Sequence, residues 1–140
     1  LIVGVPGSTS DDHARTLAFL EEMDFGDVHV FTYSRRAGTA AAAFPDPVDT
    51  ATKKARGAEV HALVRRLRKA ALQSRVGQIR NVLFEGRSRA TDEGFRIQGY
   101  TDTFQRVAVS LPVERALRGH VLPVRIDAVD ESRGLLGTLA

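Results

Sequence analysis

The chain has 140 residues, of which 43% are hydrophobic and 26% are charged, and its formal net charge at pH 7 is +3. This composition fits one globular domain or two very small ones, and it excludes both a disordered tail and a collagen-like fibre. No apolar run is long enough to cross a bilayer and no basic flank marks a signal peptide, so we expect a cytoplasmic protein that neither enters a membrane nor is secreted.

The first third of the chain is predicted to form a strand, a helix and a second strand. Residues 1–5 (LIVGV) are apolar and β-branched, as in a buried strand, and residues 28–33 (VHVFTY) have the same character. Two such strands joined by a helix pair in parallel. One unit of this kind cannot cover both faces of a sheet. We therefore expect the chain to be part of a longer protein and its first residue not to be a domain boundary.

The helix between these strands has a clear start signal. Thr9 and Asp12 have the spacing of a capping box, which predicts a helix over residues 10–23 that ends at Asp24 and Gly26. Its predicted buried stripe consists of Ala14, Leu17, Ala18, Leu20 and Met23.

A loop and a long helix follow. Residues 34–44 (SRRAGTAAAAF) leave the carboxyl end of the second strand, where parallel α/β proteins bind ligands. Pro45, Asp46 and Pro47 open the helix and Gly77 closes it. Its predicted buried stripe is Val60, Leu63, Val64, Leu67, Ala70 and Ala71.

The positive charge is concentrated in a central block. One acid, Glu59, accompanies nine basic residues, a local charge of +8: Lys53, Lys54, Arg56, Arg65, Arg66, Arg68, Lys69, Arg75 and Arg80. Such a stripe suits a polyanion. A solvated helix face in an arginine-rich protein is the alternative.

From residue 78 the hydrophobic spacing becomes that of strands. The predicted strands cover 79–85, 95–101, 104–110, 121–129 and 135–139, with a turn at Gly86 and a crossing segment over 111–120. Five short strands separated by glycines predict a small closed or nearly closed β-barrel. In its hairpin at 99–106, Tyr100 can stack on unpaired bases and Arg106 can pair with phosphate, whereas Phe104 is equally compatible with the core.

The spacing of the polar residues defines no catalytic group. The absence of cysteine excludes disulfides, zinc–thiolate sites, cysteine nucleophiles and an iron–sulfur cluster ligated within this chain. Residues 4–10 (GVPGSTS) lack the lysine of a Walker loop, and there is no G-x-S-x-G elbow. These residues instead predict a glycine-containing turn beside a helix N-terminus. Such a turn can bind a flat ligand or an anion. The alternative is a βα turn without a ligand. The four histidines are scattered without metal-ligand spacing: His13, His29, His61 and His120.

The order of these motifs resembles the radical S-adenosylmethionine methylthiotransferase family. LIVGVPGSTSDDHARTLAFLEEMDF and VHVFTYSRRAGTAAA are similar to the last part of its radical barrel, and GYTDTFQRV, LRGHVLPVRI and GLLGTLA are similar to its TRAM domain. The resemblance implies an α/β fold in which residues 1–75 form the end of a partial (β/α) barrel with the long basic helix. Residues 76–140 would form the OB-like five-stranded TRAM barrel.

The resemblance also implies an activity. The family uses S-adenosylmethionine and a [4Fe–4S] cluster, whose cysteines would lie outside this chain, so the chain alone is not expected to be active. Arg35 makes it most similar to the branch that methylthiolates N6-threonylcarbamoyladenosine in tRNA. The branches that act on isopentenyladenosine or a ribosomal protein usually carry proline there. The implied partner is the tRNA anticodon stem-loop.

Candidate site residues carry over where the family's motifs match. The cofactor turn would comprise Gly4, Pro6 and Gly7, and the substrate loop would comprise Tyr33, Ser34, Arg36, Gly38 and Thr39. The candidate RNA contacts are Arg75, Arg80, Tyr100 and Arg106. The sequence departs from the family pattern at Val5, Ser8 and Ala37, where phenylalanine, glutamate and proline are usual, so a carboxylate role at position 8 is lost.

Two other hypotheses stay open. A non-catalytic RNA-binding protein built around the TRAM domain is one, and it requires residues 1–33 to fold without further neighbours. A methylthiotransferase that acts on another target, isopentenyladenosine tRNA or a ribosomal protein, is the second.

Overall fold

The structure, a computed structural model, describes residues 1–23, 25–45, 48–130, 132 and 134–140. The predictions made at Asp24, Asp46 and Pro47 lie outside the described residues. The chain divides into two compact units, Leu1–Ala71 and Leu72–Ala140.

The first unit begins with the predicted parallel pair of strands. β1 (Ile2–Val3) pairs in parallel with β2 (Phe31–Thr32). Both strands are shorter than predicted, although backbone bonds continue the pairing on either side of them. Within the described residues, no third strand extends this sheet. Lengthening an isolated pair of strands adds little stability, which is consistent with their short length.

The first helix, α1 (Ser10–Glu22), has the predicted capping box at its start. Its predicted buried stripe is only partly correct. Leu20 is buried and Leu17 is half-buried, but the remaining members, Ala14, Ala18 and Met23, are exposed. α1 contributes only Leu20 and Leu17 to a core that it shares with Val3 of β1 and with α3, so its buried face is narrow.

Two further helices follow. α2 (Ala40–Ala43) lies in the predicted loop, because four consecutive alanines favour a helical turn. α3 (Thr50–Gln73) is the predicted long helix, and it ends before the predicted stop at Gly77. Its stripe joins the first core as predicted, but Ala70 is exposed and Ala71 half-buried, and Leu72 is buried instead. The first core consists of Val3, Leu20, Val60, Leu63, Val64 and Leu67.

The second unit contains the predicted strands and one more. The strands found in its described residues are β3 (Ile79–Phe84), β4 (Arg89–Thr91), β5 (Gly94–Thr101), β6 (Arg106–Leu111), β7 (Val121–Asp130) and β8 (Gly134–Leu139). Each predicted boundary lies within two residues of the observed one. The unpredicted strand, β4, is too short to show an alternating pattern.

The strands of the second unit close into a ring. β3 pairs with β5, β5 with β6, β6 with β8, β8 with β7, and β7 returns to β3. The β6–β8 pair is parallel and the others are antiparallel, while β4 pairs with the start of β5. The ring encloses a core that includes Phe84, Ile97, Ile126 and Leu135. The predicted α/β class is confirmed, and the radical-barrel and TRAM assignments stay predictions.

In the described part of the chain, no helix has both the length and the apolar character that crossing a membrane requires.

Candidate functional site

Two of the predicted loops meet at one edge of the β1–β2 pair. Because the strands are parallel and in register, Gly4 follows β1 at the same end at which Tyr33 follows β2. The Tyr33 backbone N–H donates to the Val3 carbonyl at 2.8 Å. The carboxyl ends of parallel strands are where α/β proteins bind ligands, so this edge is the candidate site of the first unit.

The turn after β1 lines a cavity of about 300 Å³. All three predicted cofactor residues, Gly4, Pro6 and Gly7, line it, together with Asp12 and His13 of α1. Gly4 and Gly7 have φ angles of +74° and +81°, which other residues adopt only with strain. None of the predicted substrate residues is among the residues that line this cavity.

Lys53 of α3 lies between the two loops. A Cβ atom on Gly4 would come within 2.6 Å of the Lys53 Cγ atom. The Lys53 ammonium lies 5.4 Å from the centroid of the Tyr33 ring, a distance that allows a cation–π interaction. The Tyr33 hydroxyl is buried and has no hydrogen-bond partner among the described residues.

Arg56 of α3 forms hydrogen bonds to the turn after β1. Its side chain is buried, with 8% exposure, and its guanidinium donates to the Ser8 carbonyl at 3.1 Å and to the Ser8 hydroxyl at 3.0 Å. It also donates to the Ser10 hydroxyl at 3.3 Å. The sequence placed Arg56 among residues that would face a polyanion, and this is wrong. Its position four residues before Val60, on the buried face of α3, is the signal that could have shown it.

The start of α1 already holds a negative charge. Thr9 donates its backbone N–H and its hydroxyl to the Asp12 carboxylate at 2.9 Å and 2.7 Å, and these bonds lower the pKa of Asp12 below its ordinary value of 3.8. The Asp12 carboxylate therefore occupies the N-terminal end of α1, where the sequence predicted that an anion could bind. Nearby, the His13 Nε2 atom lies 2.8 Å from the Glu59 carboxylate.

The predicted substrate loop is a tight turn. Thr39 donates both its backbone N–H and its hydroxyl to the Arg36 carbonyl, at 3.3 Å and 2.9 Å. Gly38 makes this turn possible with a φ angle of +81°. Ser34 and Arg36 are exposed, and the Arg35 guanidinium donates to the Phe44 carbonyl at 3.0 Å. The loop thus exposes two consecutive arginines.

The basic block is partly neutralised within the first unit. Arg66 pairs with Glu21, and Arg68 lies 3.7 Å from Asp27. With Arg56 buried and Lys53 over a ring, fewer cations remain for a polyanion than the local charge of +8 suggested.

Two of the predicted RNA residues of the second unit, Arg80 and Arg106, have internal partners. Arg80 donates to the Asp102 carboxylate at 2.6 Å and is only 23% exposed. Arg106 donates to the Ser132 carbonyl at 2.6 Å. Arg75 is half-buried. Their roles in RNA binding stay predictions.

The aromatic hairpin of the second unit is on the surface. Tyr100 and Phe104 line a cleft of about 520 Å³. Phe104 is 88% exposed, which excludes the core position that the sequence left open, and its φ angle is +59°. A non-glycine residue in this conformation carries strain of about 1 kcal/mol or more.

Among the residues that the structure describes, no group of three or more histidine, aspartate and glutamate side chains is arranged to hold a metal ion.

No protein-family model matches the chain. Among curated proteins, it is 34% identical to the tRNA-2-methylthio-N(6)-dimethylallyladenosine synthase of Symbiobacterium thermophilum over 126 residues, which cover 90% of this chain and 26% of that protein. It is 38% identical to the protein of the same name from Nitratidesulfovibrio vulgaris over 125 residues, 89% of this chain and 28% of the relative. It is also 35% identical over 107 residues, 76% of this chain and 24% of the relative, to the threonylcarbamoyladenosine tRNA methylthiotransferase MtaB of Bacillus subtilis. The chain therefore spans about a quarter of the length of the curated relatives it matches.

Proposed function

We propose that this chain, which belongs to the family of tRNA methylthiotransferases, acts as the part of such an enzyme that grips tRNA and lines the substrate end of the site. The observation that carries the proposal is the match of about nine-tenths of the chain to proteins whose names specify methylthio addition to a tRNA adenosine. The two loops at one sheet edge and the closed strand ring are consistent with this division of labour.

The chemistry of the whole enzyme would need groups that this chain does not hold. With no cysteine in the sequence, the residues present do not fit the [4Fe–4S] cluster, and we derive no step through it. S-adenosylmethionine, when bound, supplies the methyl group. Gly4, Pro6 and Gly7 would contribute one wall of its pocket, because their bare backbone allows close approach of a flat ligand.

The loop after β2 favours a charged substrate. A threonylcarbamoyl group ends in a carboxylate, and Arg35 and Arg36 are neighbouring cations on the surface of this loop. Guanidinium groups bind carboxylates with paired hydrogen bonds. We therefore propose N6-threonylcarbamoyladenosine of the tRNA anticodon stem-loop as the substrate.

Dimethylallyladenosine is the second candidate substrate. Two of the three relatives described above carry this group in their names. The group is apolar and gains nothing from a cation, so the two candidates make opposite predictions for the arginines. If the substrate is threonylcarbamoyladenosine, replacing Arg36 by Gln should lower its conversion about tenfold or more. If it is dimethylallyladenosine, the same replacement should have little effect.

Mass spectrometry of tRNA nucleosides tests the function and the substrate together. The gene that encodes this chain is deleted, and bulk tRNA is digested to nucleosides. Loss of the 2-methylthio form of threonylcarbamoyladenosine is the expected result. Loss of the dimethylallyl form instead would select the second candidate. Retention of both forms would overturn the action on tRNA adenosines and would leave a ribosomal-protein target or a non-catalytic RNA-binding protein.

A further inference from the structure

One lysine of α3 contacts both loops at the edge of the β1–β2 pair. Lys53 is half-buried, and its stem fills the side of Gly4 on which a Cβ atom would stand. Such an atom would come within 2.6 Å of the Lys53 Cγ atom, 3.3 Å of Cδ and 3.4 Å of Cε. Three consecutive methylene groups therefore pack along the turn after β1. The absence of a side chain at Gly4 makes room for this contact.

The charged end of the same side chain reaches the other loop. The Lys53 ammonium lies 5.4 Å from the centroid of the Tyr33 ring, a distance at which the ring attracts a cation. Gly4 is the first residue after β1, and Tyr33 is the first residue after β2. A single side chain thus connects the ends of the two paired strands at the edge where α/β proteins bind ligands.

The strand pair has little other support at this edge. Within the described residues it has no third strand, and an isolated pair of strands is only marginally stable. The first turns of α3 supply the support instead, since Arg56 bonds to Ser8 and Lys53 packs on Gly4. Ordering a lysine side chain removes much rotamer freedom, so its contacts with Gly4 and Tyr33 must offset that loss.

We propose that Lys53 is a positioning residue that fixes the turn at Gly4 relative to the loop at Tyr33. The proposal rests on the proposed function, in which the turn lines the cofactor pocket and the loop binds the substrate nucleoside. The methylene stem supports the turn, and the ammonium orders the loop. Lys53 therefore acts on substrate binding through Tyr33, and not by binding a phosphate as one cation of a basic stripe.

Backbone ¹⁵N relaxation of the full 140-residue chain tests the two roles separately. Lys53→Met keeps an unbranched apolar stem and removes the charge. The order parameter of the Tyr33 amide should then fall from about 0.85 towards about 0.6, whereas that of Gly4 should stay at the parent value. Lys53→Ala removes both contacts and should lower both order parameters.

Two further variants serve as controls. Lys53→Arg keeps a cation for the ring and should keep the order parameter of Tyr33 at the parent value. Lys54→Met removes a charge from the next residue of α3, which is exposed, and should change neither order parameter. If Lys53→Ala does not fold, the Met and Arg variants still decide. A parent-like Tyr33 value in Lys53→Met, or an equal fall in Lys54→Met, would overturn the proposal.

Kinetics of the enzyme that contains this chain give the functional readout. Lys53→Met should raise the KM for tRNA about fivefold, the loss expected for one cation–π contact, and should leave the KM for S-adenosylmethionine unchanged. The slope of log KM for tRNA against log salt should equal that of the parent. A slope flatter by about 0.7 would mean that Lys53 binds a phosphate directly, and it would overturn the proposal.

Failure of this proposal is distinguishable from failure of the proposed function. A parent enzyme that leaves tRNA unmodified would contradict the proposed function. If the parent modifies tRNA and Lys53→Met has the KM of the parent for tRNA, only the positioning role of Lys53 is overturned.

Discussion

At the scale of single residues, Arg56 stabilises the turn after β1 that lines the cavity. Replacing it by Met keeps the apolar stem but removes the three hydrogen bonds to Ser8 and Ser10. We expect the free energy of unfolding of the first unit to fall by about 2 kcal/mol, since hydrogen bonds from a charged donor contribute about 1.5–3 kcal/mol. Urea denaturation measures this change.

A control on the same helix accompanies this prediction. Arg65 is exposed on α3, so Arg65→Met should change the free energy of unfolding by less than about 0.5 kcal/mol. Equal effects of the two variants would mean that Arg56 does not hold the turn.

The positive φ angle of Phe104 is predicted to lower the free energy of unfolding of the chain. Asparagine adopts a positive φ angle more readily than phenylalanine, and the ring is almost fully exposed, so little buried area is lost. Phe104→Asn should therefore raise the free energy of unfolding by up to about 1 kcal/mol. Phe104→Leu keeps the strain and should show no such gain. If thermal denaturation shows that Phe104→Asn lowers the stability, the backbone at Phe104 is not strained.

Residue roles were predictable only where the local pattern decides them. The Thr9–Asp12 cap follows from three-residue spacing and is confirmed. The burial of Arg56 and the exposure of Phe104 depend on which face of an element meets the core, and charge or aromatic character alone suggested the opposite or left the choice open. Lys53 was counted as one of many cations, because its closeness to Gly4 and Tyr33 arises from tertiary contacts.

At the scale of elements, the cap of α1 makes helix stability depend on pH. Hydrogen bonds from Thr9 lower the pKa of Asp12, so the contribution of the cap is fully present above pH 3.8 and is lost as the pH falls through the lower folded-state value. Thr9→Val removes the hydroxyl and should move the pKa of Asp12 upwards, towards 3.8. An NMR titration of the Asp12 carboxyl measures this shift.

The same variant has a second readout. The stability difference between the parent and Thr9→Val should be present at neutral pH and should shrink below pH 3.8. A difference that is independent of pH would show that the hydroxyl acts through the Asp12 backbone N–H, from which it accepts at 3.1 Å, and not through the Asp12 carboxylate.

Element types followed from the sequence more closely than element lengths did. The long helix and the strands of the second unit have strong periodic patterns, and all of them are present. The strands of the first unit are short, because the described residues supply no neighbouring strand to extend them. β4 and α2 were missed, since three or four residues are too few for a period to be detected.

At the scale of the whole molecule, the two units should differ in their resistance to proteolysis. Among the described residues, the core of the first unit has six buried members and that of the second has eleven. The second has a closed ring of strands around its core. Local opening is easier where fewer apolar groups are buried, so we expect limited proteolysis to leave a resistant fragment that begins near residues 72–77. Protection from residue 1 onward would contradict this expectation.

Membership of the methylthiotransferase family was predicted from two motifs in the right order, and it is confirmed. The branch was predicted from Arg35 alone, and one side chain on a surface loop carries less information than nine-tenths of an aligned chain. The choice between threonylcarbamoyl and dimethylallyl substrates therefore stays a prediction for the nucleoside measurement.

The role of this chain in tRNA modification is tested most directly by the amount of 2-methylthioadenosine derivatives in cellular tRNA. In a strain whose gene lacks in frame only the codons for these 140 residues, we expect one such nucleoside to disappear, and to return when the codons are restored. Unchanged amounts of every methylthio nucleoside in the strain that lacks the codons would contradict the proposed function.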